Sequence, residues 1–233
     1  MGDSRSMVST SNPPIRVAIL DDHAVMLDGY RLRLEATPDL RVVATAYYGE
    51  ELAALLKNHH IDVLILDVIV PTAPDNPNPY PILQHIPEIV ERYPNTAIVV
   101  ITMHAESGLI RGVMRAGASG YVFKDDRQTL SQLAEGLRAV TRGDWYLSPL
   151  ARTQLNKRPA PQDETFTPRQ LAALSLCAAY PDKSAAELAS KLFITPSTFR
   201  NLLHQTYARL NVSSRAGAVA EARRRGLITP EPS

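Results

Sequence analysis

The 233-residue chain is 45% hydrophobic and 21% charged with a formal net charge of +1, enough apolar content to bury two cores of ordinary size. Its single cysteine, Cys177, lies among Leu174, Leu176 and Ala178; this excludes a disulfide framework or thiolate metal cluster and reads as an inert core thiol in a reducing, cytoplasmic compartment. The total charge hides an asymmetry: residues 1–150 carry 13 Lys and Arg against 18 Asp and Glu, whereas residues 165–229 carry 9 against 3, a balance that suits a polyanion partner or a merely solvated surface.

Residues 1–14, MGDSRSMVSTSNPP, read as a disordered polar tail. They lack the apolar core of a signal peptide, and no run of 18 apolar residues follows anywhere, which argues against secretion and membrane spanning. Gly2 and Ser6 match the loose myristoylation pattern, which is weak evidence for a lipid. Five strand-length runs rich in β-branched or aromatic residues come next: RVAIL (16–20), RVVATA (41–46), DVLILD (62–67), AIVVIT (97–102) and GYVFK (120–124). Helical patterns at 25–36, 50–59, 82–92, 107–117 and 127–143 alternate with them, and Pro87 kinks the third or marks its true start. Repeated β–α units predict a doubly wound, flavodoxin-like parallel sheet of five strands with helices on both faces, over residues 15–147.

The segment 148–164 contains RTQLNKRPAPQDE, which is polar, has two prolines and no sustained apolar period, and reads as a linker. Beyond it, residues 165–229 predict a small all-α domain of four helices. Thr167 with Gln170 and Ser184 with Glu187 have the form of capping boxes, Thr195-Pro196 places proline at the first helical position, and Ser213 or Ser214 can cap the last helix. Leu171, Leu174, Leu188, Leu192, Phe199, Leu203, Leu210, Val212, Val219 and Ala222 supply a core, and the spacing of the middle helices suits a helix-turn-helix.

In an open parallel sheet the carboxyl ends of the strands share one rim. Asp21 and Asp22 follow the first run, Asp67 ends the third, Thr102 the fourth and Lys124 the fifth. Singly, the acids can be helix caps, the lysine a surface cation and the threonine an ordinary strand residue. Together, clustered carboxylates call for a hard divalent cation such as Mg²⁺, and one of them can attack phosphorus while the cation and the lysine neutralise the phosphoryl oxygens.

AILDDH (18–23), Asp67 after LIL, VITMHAE (100–106) and GASGYVFKD (117–125) resemble the receiver domain of two-component response regulators. Residues 165–228 resemble the LuxR-type DNA-binding domain, so the whole chain resembles the NarL/FixJ family of transcriptional regulators. The resemblance implies that Asp67 accepts a phosphoryl group from a sensor histidine kinase, and that Asp22, Asp67 and the Ile69 carbonyl hold Mg²⁺ with Asp21 joining through water. It further implies that Thr102 and Lys124 contact the phosphoryl group and that Tyr121 is the aromatic switch. The helix at about 196–210 would enter the major groove of double-stranded DNA, with Arg200, Asn201 and His204 toward bases and Lys183, Lys191, Thr195, Ser197 and Thr198 toward phosphates. The active form would be a homodimer, or would pair with a second regulator, and in this family an unphosphorylated receiver can occlude the recognition helix.

Departures from the family pattern qualify this. Leu202 stands where His is usual, Ala186 where Lys or Arg is frequent, and Gln205 where a basic residue is frequent, which predicts weak electrostatic anchoring. The family's short turn after the phosphoacceptor is replaced by Val70-Pro71 and a glycine-free stretch, with five prolines between Pro71 and Pro81. That loop can shape access to Asp67, or it can be a tolerated insertion. The alternative function is a regulator of the same fold that works without phosphorylation, controlled by a protein or ligand at residues 72–81. An enzyme of the haloacid-dehalogenase type normally needs a second Asp two residues after the first, where this chain has Ile69, so catalysis beyond self-phosphorylation and self-dephosphorylation is not expected.

Overall fold

The structure is a computed structural model that describes residues 13–157 and 166–231. Residues 1–12 of the expected tail and 158–164 of the expected linker therefore lie outside the described residues. In the N-terminal part, strands β1 (Ile15–Leu20), β2 (Leu40–Ala46), β3 (Val63–Leu66), β6 (Ala97–Thr102), β7 (Gly120–Phe123) and β8 (Tyr146–Leu147) form one parallel sheet in the order β2-β1-β3-β6-β7-β8. The sheet thus has a sixth strand beyond the five expected, a two-residue piece too short to leave a sequence pattern.

Alternation along each strand divides the core. Ala18, Leu20, Leu64, Leu66, Ile98, Val100 and Tyr121 face one side, and Val17, Ile19, Val63, Ile65, Val99, Ile101 and Val122 the other. Both sets are buried because helices cover both faces, which is why the strands read as continuous apolar runs. Helices α1 (Ala24–Glu35) and α6 (Leu133–Thr141) pack on the second face; α2 (Leu52–Asn58), α3 (Ile82–Arg92) and α4 (Ser107–Arg115) pack on the first.

Several elements depart from the sequence reading. The pattern over 50–59 begins as a 3₁₀ turn at Gly49–Glu51, because the Glu51 carboxylate accepts from the Tyr47 and Tyr48 amides there. The pattern over 127–143 breaks at Gln132 into α5 (Arg127–Ser131) and α6. Helix α3 runs through Pro87, which has no N–H for the Leu83 carbonyl. Residues 149–156, assigned to the linker, form α7 (Pro149–Asn156), capped by Ser148; its Ala151 is fully buried in the first core.

The proline-rich stretch is a structured hairpin, β4 (Pro71–Ala73) antiparallel to β5 (Asn76–Pro79). Prolines remove backbone donors, and side chains replace some of them: the buried Thr72 hydroxyl donates to the Asn78 carbonyl at 2.7 Å. Tyr80 closes the hairpin. Its ring lies so near Gly49 that a Cβ there would collide with Tyr80 Cγ.

The C-terminal part holds α8 (Pro168–Ala179), α9 (Ala185–Lys191), α10 (Pro196–Leu210) and α11 (Arg215–Arg224). Thr167, Ser184, Thr195 and Ser214 each accept from an amide three residues on, and the first two complete reciprocal capping boxes. Asn211, in the left-handed region at φ 56°, ends α10. Leu174, Leu188, Phe199, Leu203, Leu210 and Ala222 are buried, and Leu171, Leu192, Val212 and Val219 pack at the core's edge. Cys177 is buried in this core, and burial raises its thiol pKa, in keeping with an inert group.

Candidate functional site

Parallel register brings the rim residues together. Leu20 pairs with Leu66, Leu66 with Val100 and Thr102 with Phe123, so the residues at these strand ends converge. The Asp67 amide donates to the Leu20 carbonyl and the Lys124 amide to the Thr102 carbonyl, which ties the loop starts to the sheet.

Lys124 Nζ sits 2.8 Å from Asp21 Oδ2 and 2.7 Å from Asp67 Oδ2. All three side chains are nearly buried, at 8%, 2% and 7% exposure for Lys124, Asp21 and Asp67. Burial alone would lower the Lys124 pKa, but Asp67 and Asp21 outweigh it and raise it, so the ammonium stays charged. Asp22, at 31% side-chain exposure, faces the opening. Its Oδ1 lies 2.7 Å from His23 Nδ1, yet no well-aligned hydrogen bond reaches that oxygen. Ligand atoms of Asp21, Asp22, His23 and Asp67 fall within 4.8 Å of one another. The three carboxylates of this set, with an Asp22 oxygen that has no aligned donor among the described residues, fit a hard cation, and His23 stands beside them.

The other pocket residues are placed as follows. The Ile69 amide donates to Asp67 Oδ1 at 3.2 Å, which holds the carboxylate's orientation. Thr102 is fully buried, and among the described residues its hydroxyl has no hydrogen-bond partner. Such a group is costly unless something else accepts from it. The Tyr121 ring is completely buried, edge-on to Phe123, and its hydroxyl donates to the His104 carbonyl at 2.8 Å, in the loop leaving β6. Burial foremost, then Glu106 and Asp67, pushes the Tyr121 phenol well above its ordinary range.

Sequence reasoning missed two groups beside this pocket. His23 contacts both Asp21 and Asp22, and its place directly after the acid pair was a usable signal. Tyr30 on α1 has a buried hydroxyl that finds no hydrogen-bond partner among the described residues, pushed far up by burial and by Asp21 and Asp67; nothing in a helix pattern marks it.

On the helical part, Lys183, Lys191, Thr195, Ser197, Thr198, Arg200, Asn201 and His204 are all exposed. Several already have partners. Lys183 pairs with Glu187 at 2.9 Å, Lys191 Nζ lies 4.2 Å from the Tyr180 ring centroid, and Thr195 caps α10. Gln205 is absorbed by structure: it accepts from Gln170 Nε2 at 3.0 Å, so the position is an interhelical link. Arg223, Arg224 and Arg225 are paired with Glu231 or Glu221; only Arg224 is exposed, the other two being largely covered. Phe193, in the turn before α10, is 96% exposed at φ 53°, a conformation unusual for an aromatic residue and absent from the sequence reading. Occlusion of the recognition helix is not what this structure has. The N-terminal part contacts α8, Tyr180 and the segment after α11, and leaves Arg200, Asn201 and His204 open.

Comparison with known proteins places this geometry. Residues 17–135 match the response regulator receiver domain. The oxygen regulatory protein NreC of Staphylococcus carnosus (strain TM300) is 32% identical over 228 residues, covering 92% of this chain and 99% of that protein. The probable transcriptional regulatory protein NarL of Mycobacterium tuberculosis (strain CDC 1551 / Oshkosh) is 27% identical over 226 residues, covering 94% and 99%. Among solved structures, RcsB from Salmonella enterica serovar Typhimurium bound to promoter rprA in the presence of phosphomimetic BeF₃⁻ superposes with a TM-score of 0.63 at 21% identity, covering 89% and 98%, a likeness of fold.

Proposed function

The chain belongs to the response regulators of NarL/FixJ type, and on that premise we propose that it is a DNA-binding transcription factor switched by phosphorylation of Asp67. One observation carries the reading: the Lys124 ammonium lies between Asp21 and Asp67, and on the neighbouring strand end the buried Thr102 hydroxyl has no partner among the described residues. A phosphoryl group on Asp67 would accept from both.

The donor is a phosphohistidine of a sensor kinase or a small acyl phosphate. An Asp67 oxygen attacks phosphorus, the bond to the donor breaks, and the leaving group departs with its electron pair. Lys124 then follows the charge from the carboxylate to the phosphoryl oxygens, and Thr102 turns its hydroxyl onto one of them. Asp21, Asp22, Asp67 and the Ile69 carbonyl would hold Mg²⁺, whose charge offsets that of the phosphoryl oxygens. Tyr121, joined to the His104 carbonyl, links any shift of Thr102 to the loop that leads into α4.

The output is a homodimer, or a pair with a second regulator, whose α10 helices enter successive major grooves with Arg200, Asn201 and His204 toward bases. The protein's own chemistry is then confined to taking and losing the phosphoryl group. Support for placing the boundary between the two functional units beyond α7 comes from Ala151, which belongs to the receiver core. The same reading puts this work on DNA in the cytoplasm; among the described residues no helix is long and apolar enough to cross a membrane. Control by a separate partner at residues 72–81 is disfavoured because that hairpin already engages the chain's own helical part through Asn76.

The test is intact-mass spectrometry after incubation with acetyl phosphate and Mg²⁺. A single phosphoryl adduct is expected on the native chain and none on Asp67→Asn; an adduct retained by the variant would place the phosphoryl group elsewhere.

A further inference from the structure

Alternation along the strands decides which core each pocket residue stands over. Ile19, Ile65 and Val122 belong to the second core, and two residues on from each, still within the sheet's hydrogen-bond pattern, come Asp21, Asp67 and Lys124. The group of Asp21, Lys124 and Asp67 therefore closes the top of the second core, on the side of the sheet covered by α1 and α6. Thr102 and Tyr121 belong by the same count to the first.

Each core contains one buried tyrosine, Tyr121 in the first and Tyr30 in the second. Their hydroxyls differ. Tyr121 donates to the His104 carbonyl at 2.8 Å, whereas the Tyr30 hydroxyl is sealed from solvent and finds no partner among the described residues. Tyr30 is 4% exposed and shares the buried stripe of α1 with Leu27 and Leu34. Helical side chains lean toward the N-terminus of their helix, and the N-terminus of α1 is where Asp21 and Asp22 sit. Burial foremost, then the charges of Asp21 and Asp67, raise the Tyr30 phenol far above its ordinary range, which agrees with that placement and keeps the hydroxyl a donor.

A buried donor without an acceptor is costly, and Asp21 is the acceptor that comes free. At rest Asp21 Oδ1 accepts from the His23 amide at 3.0 Å and Oδ2 faces the Lys124 ammonium at 2.8 Å, so both oxygens are served. Phosphorylation of Asp67 changes this. Lys124 turns to the phosphoryl oxygens, and Asp21, 1% exposed, is left with a buried charge and an Oδ2 that has lost its ammonium.

We propose that Tyr30 is a positioning residue of the phosphoryl pocket, whose hydroxyl donates to Asp21 in place of Lys124 once the ammonium follows the phosphoryl group. The exchange lets Lys124 leave without stranding a buried carboxylate. Tyr30 thus stabilises the phosphorylated form and gives the resting form nothing. No covalent step is involved, and the hydroxyl touches neither Asp67 nor the phosphoryl group. The role rests on the phosphorylation of Asp67 proposed above; the placement of Tyr30 under Asp21 does not.

Tyr30→Phe keeps the ring and removes only the hydroxyl. The readings are thermal unfolding without donor, adduct level with acetyl phosphate and Mg²⁺ by intact mass, and ¹⁹F NMR of chain carrying 3-fluorotyrosine, in which the Tyr30 signal is the one absent from Tyr30→Phe. We expect the variant to melt at or above the native temperature and its adduct at subsaturating donor to fall about tenfold, the value of a hydrogen bond to a charged group. The Tyr30 fluorine signal should shift when the native chain is phosphorylated and stay in place in Asp67→Asn. A lower melting temperature would show that the hydroxyl already has a resting partner, and overturns the assignment. So does a native adduct level in Tyr30→Phe, or a Tyr30 signal that ignores phosphorylation. Those results leave Asp67 standing, whereas absence of any adduct on the native chain removes Asp67 as acceptor and the role of Tyr30 with it.

Discussion

The Thr102 hydroxyl is buried without a partner among the described residues, and a group left so costs about 1–3 kcal/mol. Thr102→Val puts a methyl in nearly the same volume, lifts that cost and adds about 0.8 kcal/mol of apolar burial. The unphosphorylated chain should therefore gain stability, and for a chain of this size each kcal/mol raises the melting temperature by roughly 2–4 °C. The phosphorylated form loses a hydrogen bond to a charged group worth about 1.5–3 kcal/mol, so the adduct at subsaturating acetyl phosphate should fall by roughly tenfold to a hundredfold. Calorimetry and intact-mass spectrometry on one preparation read both effects. A melting temperature that drops would mean the hydroxyl has a native partner, and an unchanged adduct level would remove Thr102 from phosphoryl binding. Either result refutes the reasoning, because the two effects must have opposite signs.

Three further outcomes follow from named contacts. Gly49→Ala forces a Cβ into the Tyr80 ring and should destabilise the chain by about 1–3 kcal/mol in thermal unfolding, with faster exchange in the hairpin; native stability would mean Tyr80 yields freely. Glu187 is held down at about 2 by the Ser184 amide, the Lys183 ammonium and the Ser184 hydroxyl, and Glu221 at about 2 by Arg224 and Arg225. Because both folded-state values lie below the ordinary 4.5, the stability they give the output domain is full above that pH and is lost as pH falls toward 2. Circular dichroism during an acid titration should show this, and added salt should weaken the Glu187 share more, because its side chain is 50% exposed against 19% for Glu221. Alanine at Arg200, Asn201 or His204 should cost about 1–3 kcal/mol of binding and relax preference at one base, whereas Lys191→Ala should weaken all duplexes alike and reduce the salt slope by about one, both measured by fluorescence anisotropy.

The parallel sheet was legible because its strands are buried on both faces and keep unbroken apolar runs. Strand β8 was not, since two residues carry no period, and α7 was not, since its contact with the core rests on small Ala151 and on Leu155, only partly buried. The caps at Thr167, Ser184, Thr195 and Ser214 were readable because a cap is a local interaction between residues three apart. The hairpin was hidden for the opposite reason: prolines argue against strands, and only the folded chain reveals Thr72 supplying a donor that the backbone lacks. At the reactive pocket, Asp21, Asp67, Thr102 and Lys124 could be placed because strand ends share a rim by topology. Tyr30 and the left-handed Phe193 depend on packing and backbone angle, which the order of residues does not display.

The measurement that bears most directly on the central claim is the affinity of the full chain for duplexes selected from a random pool, with and without acetyl phosphate and Mg²⁺, at two salt concentrations and with light scattering on the same samples. The account predicts that phosphorylated chain pairs and binds a two-fold site more tightly than the unmodified chain, and that Asp67→Asn does neither. Equal affinity and equal mass in solution for the two forms, with the adduct on Asp67 verified, would contradict it.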